Sequence, residues 1–351
     1  MIILGIESSC DETGVAIVQD GKTLLAHSVA SSMDIHAQYG GVIPEIAARS
    51  HIEAMLPTIQ SVIEQFSREK KIAINEAWNC IDGIAVTYGA GLSGSLLIGV
   101  LTARTLAIMK DKPLYAINHV EAHVYANFLV APQPSFPLLS LIVSGGHSQL
   151  VLFNDHFSYT LLGQTVDDAI GEAFDKVAKI LGLPYPGGPS VSDYAKTGDP
   201  YSYSLPKSKV AGEYNFSFSG LKTAVLRAAQ HAVGADYRLA SIELPQRLSE
   251  AQKHDIAASF QRVAIETVVD KTLTAYDEFH PASVVIAGGV AANQELRTQL
   301  RSRLPIAVTY APPALCTDNG AMIATLGCYK AMHGKEAADA YSLAIEPNLV
   351  M

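Results

Sequence analysis

A three-strand pattern that occurs twice constrains the fold of this chain more than any other feature. Residues 2–7, 14–19 and 23–30 read as an apolar run, a polar turn through Ser8-Ser9-Cys10-Asp11-Glu12, an alternating run, the hairpin signal Asp20-Gly21 and a third strand. Residues 138–144, 148–153 and 157–162 repeat the design, with Ser144-Gly145-Gly146-His147 as the first turn and Asn154-Asp155 opening the second. Each triplet is followed by helical sequence and then by a strand, a Gly-rich turn and a helix. In the first half that unit is Ile81 to Val86, Tyr88 to Ser95 and a helix to about Met109; in the second it is Ser283 to Ile286, Ala287 to Asn293 and a helix through Arg297. Three antiparallel strands followed by crossovers predict two α/β lobes, each a mixed β-sheet flanked by helices. A ligand is expected in an interlobe cleft, where both Gly-rich turns can point N–H groups at one molecule. One Gly turn alone is an ordinary tight connection; two at matching positions of a duplicated pair favour a ligand site.

The expected division is a first lobe over 1–131 and a second over 132–325, with 326–351 packing back on the first. A helical insert occupies about 33–68, where the loop His36 to Gly41 leads to Pro44 and an amphipathic helix from about Glu45 to Phe66. Residues 198–215 and 232–252 read as surface loops, the second with no assignable chemistry. With 49% hydrophobic and 17% charged residues among 351, the chain is expected to bury ordinary cores. The apolar run Leu96 to Val100 is short, Arg104 and Lys110 interrupt the residues after it, and no stretch is expected to reach the ~20 residues of a membrane span. The N-terminus reads as a strand rather than a signal peptide. Cys10, Cys80, Cys316 and Cys328 are scattered without C-x-x-C spacing, which suits reduced thiols in the cytoplasm. A net charge of −9 argues against a general nucleic-acid coat, so any RNA contact must be local or shared with a partner.

Three stretches carry candidate chemistry. His119-Val120-Glu121-Ala122-His123 follows the short strand Leu114 to Ile117, and i, i+4 spacing puts both imidazoles on one helix face. A solvated histidine pair has the same spacing. A zinc-protease reading requires the glutamate one residue after the first histidine; Glu121 is two residues on, about 200° round the helix. Asp318, in Cys316-Thr317-Asp318-Asn319-Gly320, offers a third ligand or else the N-cap of the next helix. Two His and one carboxylate suit Fe(II) or Zn(II). Glu7, Asp11 and Glu12 cluster at the first turn, where Glu7 ends an apolar strand and a bare charge needs a reason. In the helical stretch 167–181, Asp168/Glu172 and Asp175/Lys179 are expected to stack at i, i+4 as a solvated face, while Asp175 and the loop Tyr185 to Pro189 are placed to close around a ribose.

Together these stretches closely resemble the tRNA N6-adenosine threonylcarbamoyltransferases of the bacterial TsaD type. The resemblance covers nearly the whole chain through GIESSCDETGVAIV at 5–18, HAQYGGVIPEIAARSH at 36–51, the Gly turn at 84–95, NHVEAH at 118–123, LIVSGGHSQL at 141–150, DDAIGEAFDKVAKILGLPYPGGP at 167–189, FSFSGLKTA at 216–224, AGGVAANQELR at 287–297 and CTDNGAMIA at 316–324. It implies the actin-like, Hsp70 and acetate-kinase fold and one divalent ion per subunit, Fe2+ or Zn2+, on His119, His123 and Asp318. By the same resemblance Ile142, Val143, Ser144, Gly145 and Gly146 match a substrate-contacting turn, Asp175 and Gly188 hold the adenylate ribose, and Asn293 lies on the adenine side. Some relatives carry an Asp where this chain has Ser192. The implied reaction moves the threonylcarbamoyl group from threonylcarbamoyl-AMP to N6 of the adenosine 3′-adjacent to the anticodon, in tRNAs reading codons that begin with adenine. Glu12 or Asp11 is the expected proton acceptor. Implied partners are tRNA, a non-catalytic paralogue and a small ATPase, with no membrane and the 36–66 insert facing a partner. The rival readings are a small-molecule kinase or ATPase of the same superfamily, a metallopeptidase, and a non-catalytic scaffold.

Overall fold

The structure, a computed structural model, describes residues 1–351. Its contacts divide into two compact units, one formed by Met1–Gln133 with Ala311–Met351, the other by Pro134–Tyr310.

The first unit opens with strands β1 (Ile2–Glu7), β2 (Glu12–Gln19) and β3 (Thr23–Ser31), joined by short turns and therefore antiparallel. Helices α1 (Met33–Ala37), α2 (Pro44–Lys70) and α3 (Ile74–Ala77) lead to β4 (Gly83–Gly89), which the crossover places parallel to β1. Helix α4 (Ser93–Lys110), strand β5 (Leu114–Asn118), parallel to β4, and helix α5 (His119–Tyr125) follow. The strand order is β3-β2-β1-β4-β5. One sheet face carries Leu4, Ile6, Val15, Ile17, Ile84 and Val86 into a core with Met55, Ile59, Val62, Ile63 and Phe66 of α2 and Val100, Ala103 and Ala107 of α4. Helix α4, at 18 residues, meets a length-and-composition threshold for crossing a bilayer that the core helix of a folded domain also passes, and it falls short of the ~20 residues of a full span. In the structure α4 packs on β4 and α2, and its Arg104 donates to the carbonyls of Ala340, Tyr341 and Leu343 in the C-terminal segment.

The second unit repeats the plan. Strands β6 (Leu138–Val143), β7 (Ser148–Asp155) and β8 (Ser158–Gln164) form the antiparallel triplet, and α6 (Ile170–Leu181), α7 (Gly187–Ala195), α8 (Ser219–Ala232), α9 (Leu244–Arg247) and α10 (Glu250–Phe279) follow. Strand β9 (Ser283–Ala287) pairs parallel to β6, then come α11 (Gln294–Arg303) and β10 (Val308–Tyr310). The order β10-β9-β6-β7-β8 matches the first sheet strand for strand, so the duplication read in the sequence is a duplication of topology. The stretch 232–252 is held rather than loose: Gln252 Nε2 donates to the carbonyl of Ala232, and Ser249 with Gln252 forms the capping box of α10. Helix α6 begins at Ile170, not 167, so Asp168 lies ahead of it, and the ion pairs differ from the expected stacking: Lys176 binds Asp168 at 2.7 Å and Glu172 at 2.9 Å.

The chain then returns to the first unit as α12 (Pro313–Cys316) and α13 (Gly320–Met332). The boundary expected at 325 therefore falls at 310. The reason is a close approach of backbones. A Cβ added at Gly5 would sit 2.4 Å from the amide nitrogen of Ala324, and one at Gly14 would sit 2.7 Å from that of Gly320, so α13 lies directly on β1 and β2. Asp318 is carried with it.

Candidate functional site

All three predicted ligands belong to the first unit. Asn118, the last residue of β5, caps the buried helix α5: its Oδ1 accepts from the amides of Val120 at 2.9 Å and Glu121 at 3.3 Å. That fixes the helix start, and i, i+4 geometry sets His119 and His123 side by side, ring centroids 4.7 Å apart. The α13 cap falls to Asn319, whose Oδ1 accepts from the amide of Met322. The Asp318 carboxylate faces the imidazoles instead, Oδ1 lying 3.6 Å from Nε2 of His119 and 3.3 Å from Nε2 of His123. One donor atom from each of the three residues lies within 4.8 Å of the others.

Behind His119 stands a buried polar network. Its Nδ1 is 3.2 Å from Glu7 Oε2 and 3.1 Å from Ser9 Oγ. Glu7 Oε1 accepts from the amide of Ser9 at 2.5 Å, and Thr87 Oγ1 donates to Oε2. This answers the question posed by a charge at the end of an apolar strand: Glu7 orients a histidine. Burial raises the Glu7 pKa, but the attraction of His119 outweighs it and holds the carboxyl below its ordinary range. Burial likewise lowers His119, while Glu7 and Asp318 together raise it to about 9. Donation of Nδ1–H to Glu7 leaves Nε2 to face Asp318, where a bound cation would take the place of the Nε2 proton that the raised pKa otherwise retains.

The donor set fits a divalent cation. His123 is 2% exposed, and neither of its ring nitrogens has a hydrogen-bond partner, a costly arrangement for a buried imidazole unless it serves as a ligand. Two imidazoles and one carboxylate are the chemistry of an open Fe(II) or Zn(II) site. Glu121 does not join the set: it is buried, and its carboxyl, raised by that burial, interacts with Lys330 and Lys335 instead. The geometry of a zinc protease is absent.

Glu12 and Asp11 lie on the same turn as Ser9. Glu12 opens β2, two residues earlier than the alternation suggested; its Oε1 accepts from Ser31 Oγ at 2.9 Å, and Oε2 is buried with no hydrogen-bond partner. Burial first, then the charges of Asp11 and Asp318, raise its pKa to about 7. The Asp11 carbonyl accepts from the amide and hydroxyl of Ser32, which pins the turn.

In the second unit, Ile142 and Val143 are fully buried strand residues, so only the backbone at the end of β6 is available there. Ser144 closes a tight turn: its amide donates to the carbonyl of His147 at 2.8 Å, and its Oγ accepts from the amide of His147 at 3.1 Å. Gly145 and Gly146 face open space. Gly288, at φ +87°, lies against this turn, where a Cβ would come within 2.4 Å of the Val143 carbonyl. Asp175 Oδ1 accepts from the amide of Gly187 at 2.7 Å, joining α6 to the Pro-Gly-Gly-Pro loop. Ser192 donates to the carbonyl of Gly188, and Asn293 Nδ2 donates to Ser192 Oγ and Gln261 Oε1, each at 3.0 Å. Asp175 thus meets the loop at Gly187, and Gly188, Ser192 and Asn293 are joined by hydrogen bonds. Ser9, Thr87 and His51, which complete the first unit's networks, were not singled out from the sequence; Thr87, a polar residue in an otherwise apolar strand, was the available signal.

A family model for TsaD, tRNA N6-adenosine threonylcarbamoyltransferase, matches residues 23–325. The protein so named in Thermomicrobium roseum is 46% identical over 350 residues, covering 96% of this chain and 94% of the relative. Its counterpart in Desulfitobacterium hafniense is 48% identical over 332 residues, covering 93% and 92%. Among solved structures, component A of Acidaminococcus fermentans (R)-2-hydroxyglutaryl-CoA dehydratase superposes with a TM-score of 0.52 at 16% identity, covering 95% of this chain and 99% of that one. Full-length HypF gives 0.60 at 13% identity, covering 96% of this chain and 47% of that one. These two likenesses speak to the fold alone, the actin-like ATPase type.

Proposed function

The chain belongs to the tRNA N6-adenosine threonylcarbamoyltransferase family, and from that premise we propose how its own residues divide the reaction. The family's reaction joins N6 of an adenosine in tRNA to the carbonyl carbon of threonylcarbamoyl-AMP; the bond from that carbon to the phosphate oxygen breaks, AMP leaves, and the amine loses a proton. In this reading His119, His123 and Asp318 hold one divalent ion, Fe(II) before Zn(II). Such an ion supplies Lewis acidity toward the threonylcarbamoyl oxygens, which an exocyclic adenine amine, a poor nucleophile, requires. Glu7, Ser9 and Thr87 keep His119 in its ligating tautomer. Glu12 accepts the amine proton through its buried, unpartnered Oε2, with Asp11 beside it as the alternative acceptor. AMP departs as a weakly basic phosphate and needs no strong acid. In the second unit, the backbone from Ile142 and Val143 through Ser144, Gly145 and Gly146 receives the substrate. Asp175 and Gly188 take the ribose and Asn293 the adenine side, with Ser192 bridging Gly188 and Asn293.

The observation that carries this reading is the convergence of two imidazoles and a carboxylate, distant in sequence, within 4.8 Å of one another. A superfamily kinase or ATPase has use for the Gly turns but not for this set. A tRNA modification enzyme with net charge −9 needs help in holding a polyanion. We assign that help to a non-catalytic paralogue and a small ATPase, the first docking on the exposed apolar residues of α2 and α4: Ile52, Leu56, Leu97 and Leu101. No disulfide joins the four cysteines, which accords with the cytoplasmic location we assign. The test is reconstitution with threonylcarbamoyl-AMP, the two partner proteins and unmodified tRNA, with the nucleosides read by mass. Wild-type protein is expected to yield the threonylcarbamoylated adenosine and Asp318→Ala protein none; full yield from Asp318→Ala would remove the ligand assignment.

A further inference from the structure

One buried histidine lies outside the metal set and has both ring nitrogens engaged. His51, on α2, is 1% exposed; its Nε2 is 3.0 Å from the carbonyl oxygen of Cys10, and its Nδ1 is 2.7 Å from Thr13 Oγ1. A carbonyl only accepts, so Nε2 carries the proton and Nδ1 accepts from the threonine hydroxyl. These two bonds hold the chain on either side of Asp11 and Glu12, one at the Cys10 carbonyl and the other at the Thr13 hydroxyl. The Cys10 carbonyl also accepts from Ser95 Oγ of α4 at 3.0 Å, so both of its lone pairs are used and the peptide plane entering Asp11 is fixed from two helices.

We propose that His51 is a positioning residue that sets the Glu12 carboxylate for proton acceptance by clamping the turn from Cys10 to Thr13. The inference rests on the role given to Glu12 above. With both ring nitrogens engaged and 1% of its surface exposed, His51 acts through the turn it holds, and a carboxylate displaced by even ~1 Å loses much of its effect. Because α2 also carries the exposed Ile52 and Leu56, the helix that meets solvent on one side holds the catalytic turn on the other.

The test is a double-mutant cycle in the reconstituted reaction. His51→Ala is expected to lower kcat about 10- to 100-fold while KM for threonylcarbamoyl-AMP stays within about twofold. His51→Gln, which can still donate to the Cys10 carbonyl, should recover most of the loss. In a Glu12→Ala background the His51→Ala change should have no further effect on kcat. Metal affinity and thermal melting of the folded protein should not follow the kcat loss. The inference is overturned if well-folded His51→Ala protein turns over at the wild-type rate beside a crippled Glu12→Ala enzyme, or if it loses the same factor with Glu12 already removed. A Glu12→Ala enzyme running at full rate is a different result: it removes the proton-acceptor role itself.

Discussion

Glu7 ends an apolar strand and is 0% exposed, so its charge survives only because His119, Ser9 and Thr87 surround it. Glu7→Gln keeps the shape and removes the charge. It is expected to weaken binding of the divalent ion about 10- to 100-fold in a competition titration, while the metal-free protein melts cooperatively. Unchanged affinity would make the network purely structural. Glu12 carries its own pH signature. Burial raises its carboxyl to about 7, so below that pH the group is protonated and cannot accept a proton. The rate is therefore expected to rise with pH along a limb near 7, and Glu12→Gln should abolish that limb together with most of the activity; a bound cation's charge moves the limb downward. At this scale the sequence was legible where a residue broke its local pattern. A carboxylate closing an apolar strand and two histidines at i, i+4 were both conspicuous. Ser9 and His51 were not, because a polar residue in a turn or a helix needs no explanation until its partners, which lie up to 110 residues away, are known.

Among the elements, α5 shows how a seven-residue helix can serve as a rigid mount. Asn118 caps it through Oδ1 and, through Nδ2, donates to the carbonyl of Val350 at 3.2 Å, tying the C-terminal segment to the helix that carries both histidines. Asn118→Ala is expected to cost about 1 kcal/mol of stability in denaturant melts and to loosen metal binding in parallel; a loss of stability with metal affinity untouched would separate the cap from the site. The exposed leucines of α2 and α4 carry the partner prediction. Leu56→Glu with Leu101→Glu should abolish complex formation with the paralogue, read by size-exclusion chromatography, without changing the melting temperature by more than surface substitutions do. A complex that persists would place the partner elsewhere. The existence and type of the long elements were evident from apolar spacing, but their ends and caps were not. Asp318 and Asn319 are both good N-caps by chemistry, and only the packed structure gives the cap to Asn319 and frees α13 to present Asp318 to the histidines.

Across the whole molecule, the orders β3-β2-β1-β4-β5 and β10-β9-β6-β7-β8 repeat one design, and strand alternation with turn residues made that design readable from the chain itself. The return of residues 311–351 to the first unit was not readable to its boundary. It depends on Gly5 and Gly14 meeting the backbone of α13 more than 300 residues later, a contact that no local pattern encodes. The acidic balance is also a property of the whole chain. With net charge −9, the isolated protein is expected to bind tRNA weakly and with a shallow dependence on salt, and addition of the partner proteins should raise both affinity and salt slope. An equally steep slope for the chain alone would locate the phosphate contacts here. The proposed chemistry centres on one divalent ion at His119, His123 and Asp318, whose donor atoms lie within 4.8 Å of one another. The measurement that tests it is turnover of metal-stripped enzyme in the reconstituted reaction, followed against equivalents of Fe(II) added. Formation of the modified adenosine is predicted to rise from background to a plateau that breaks at one equivalent per chain; full turnover by the stripped enzyme, or a rise with no break near one equivalent, would contradict it.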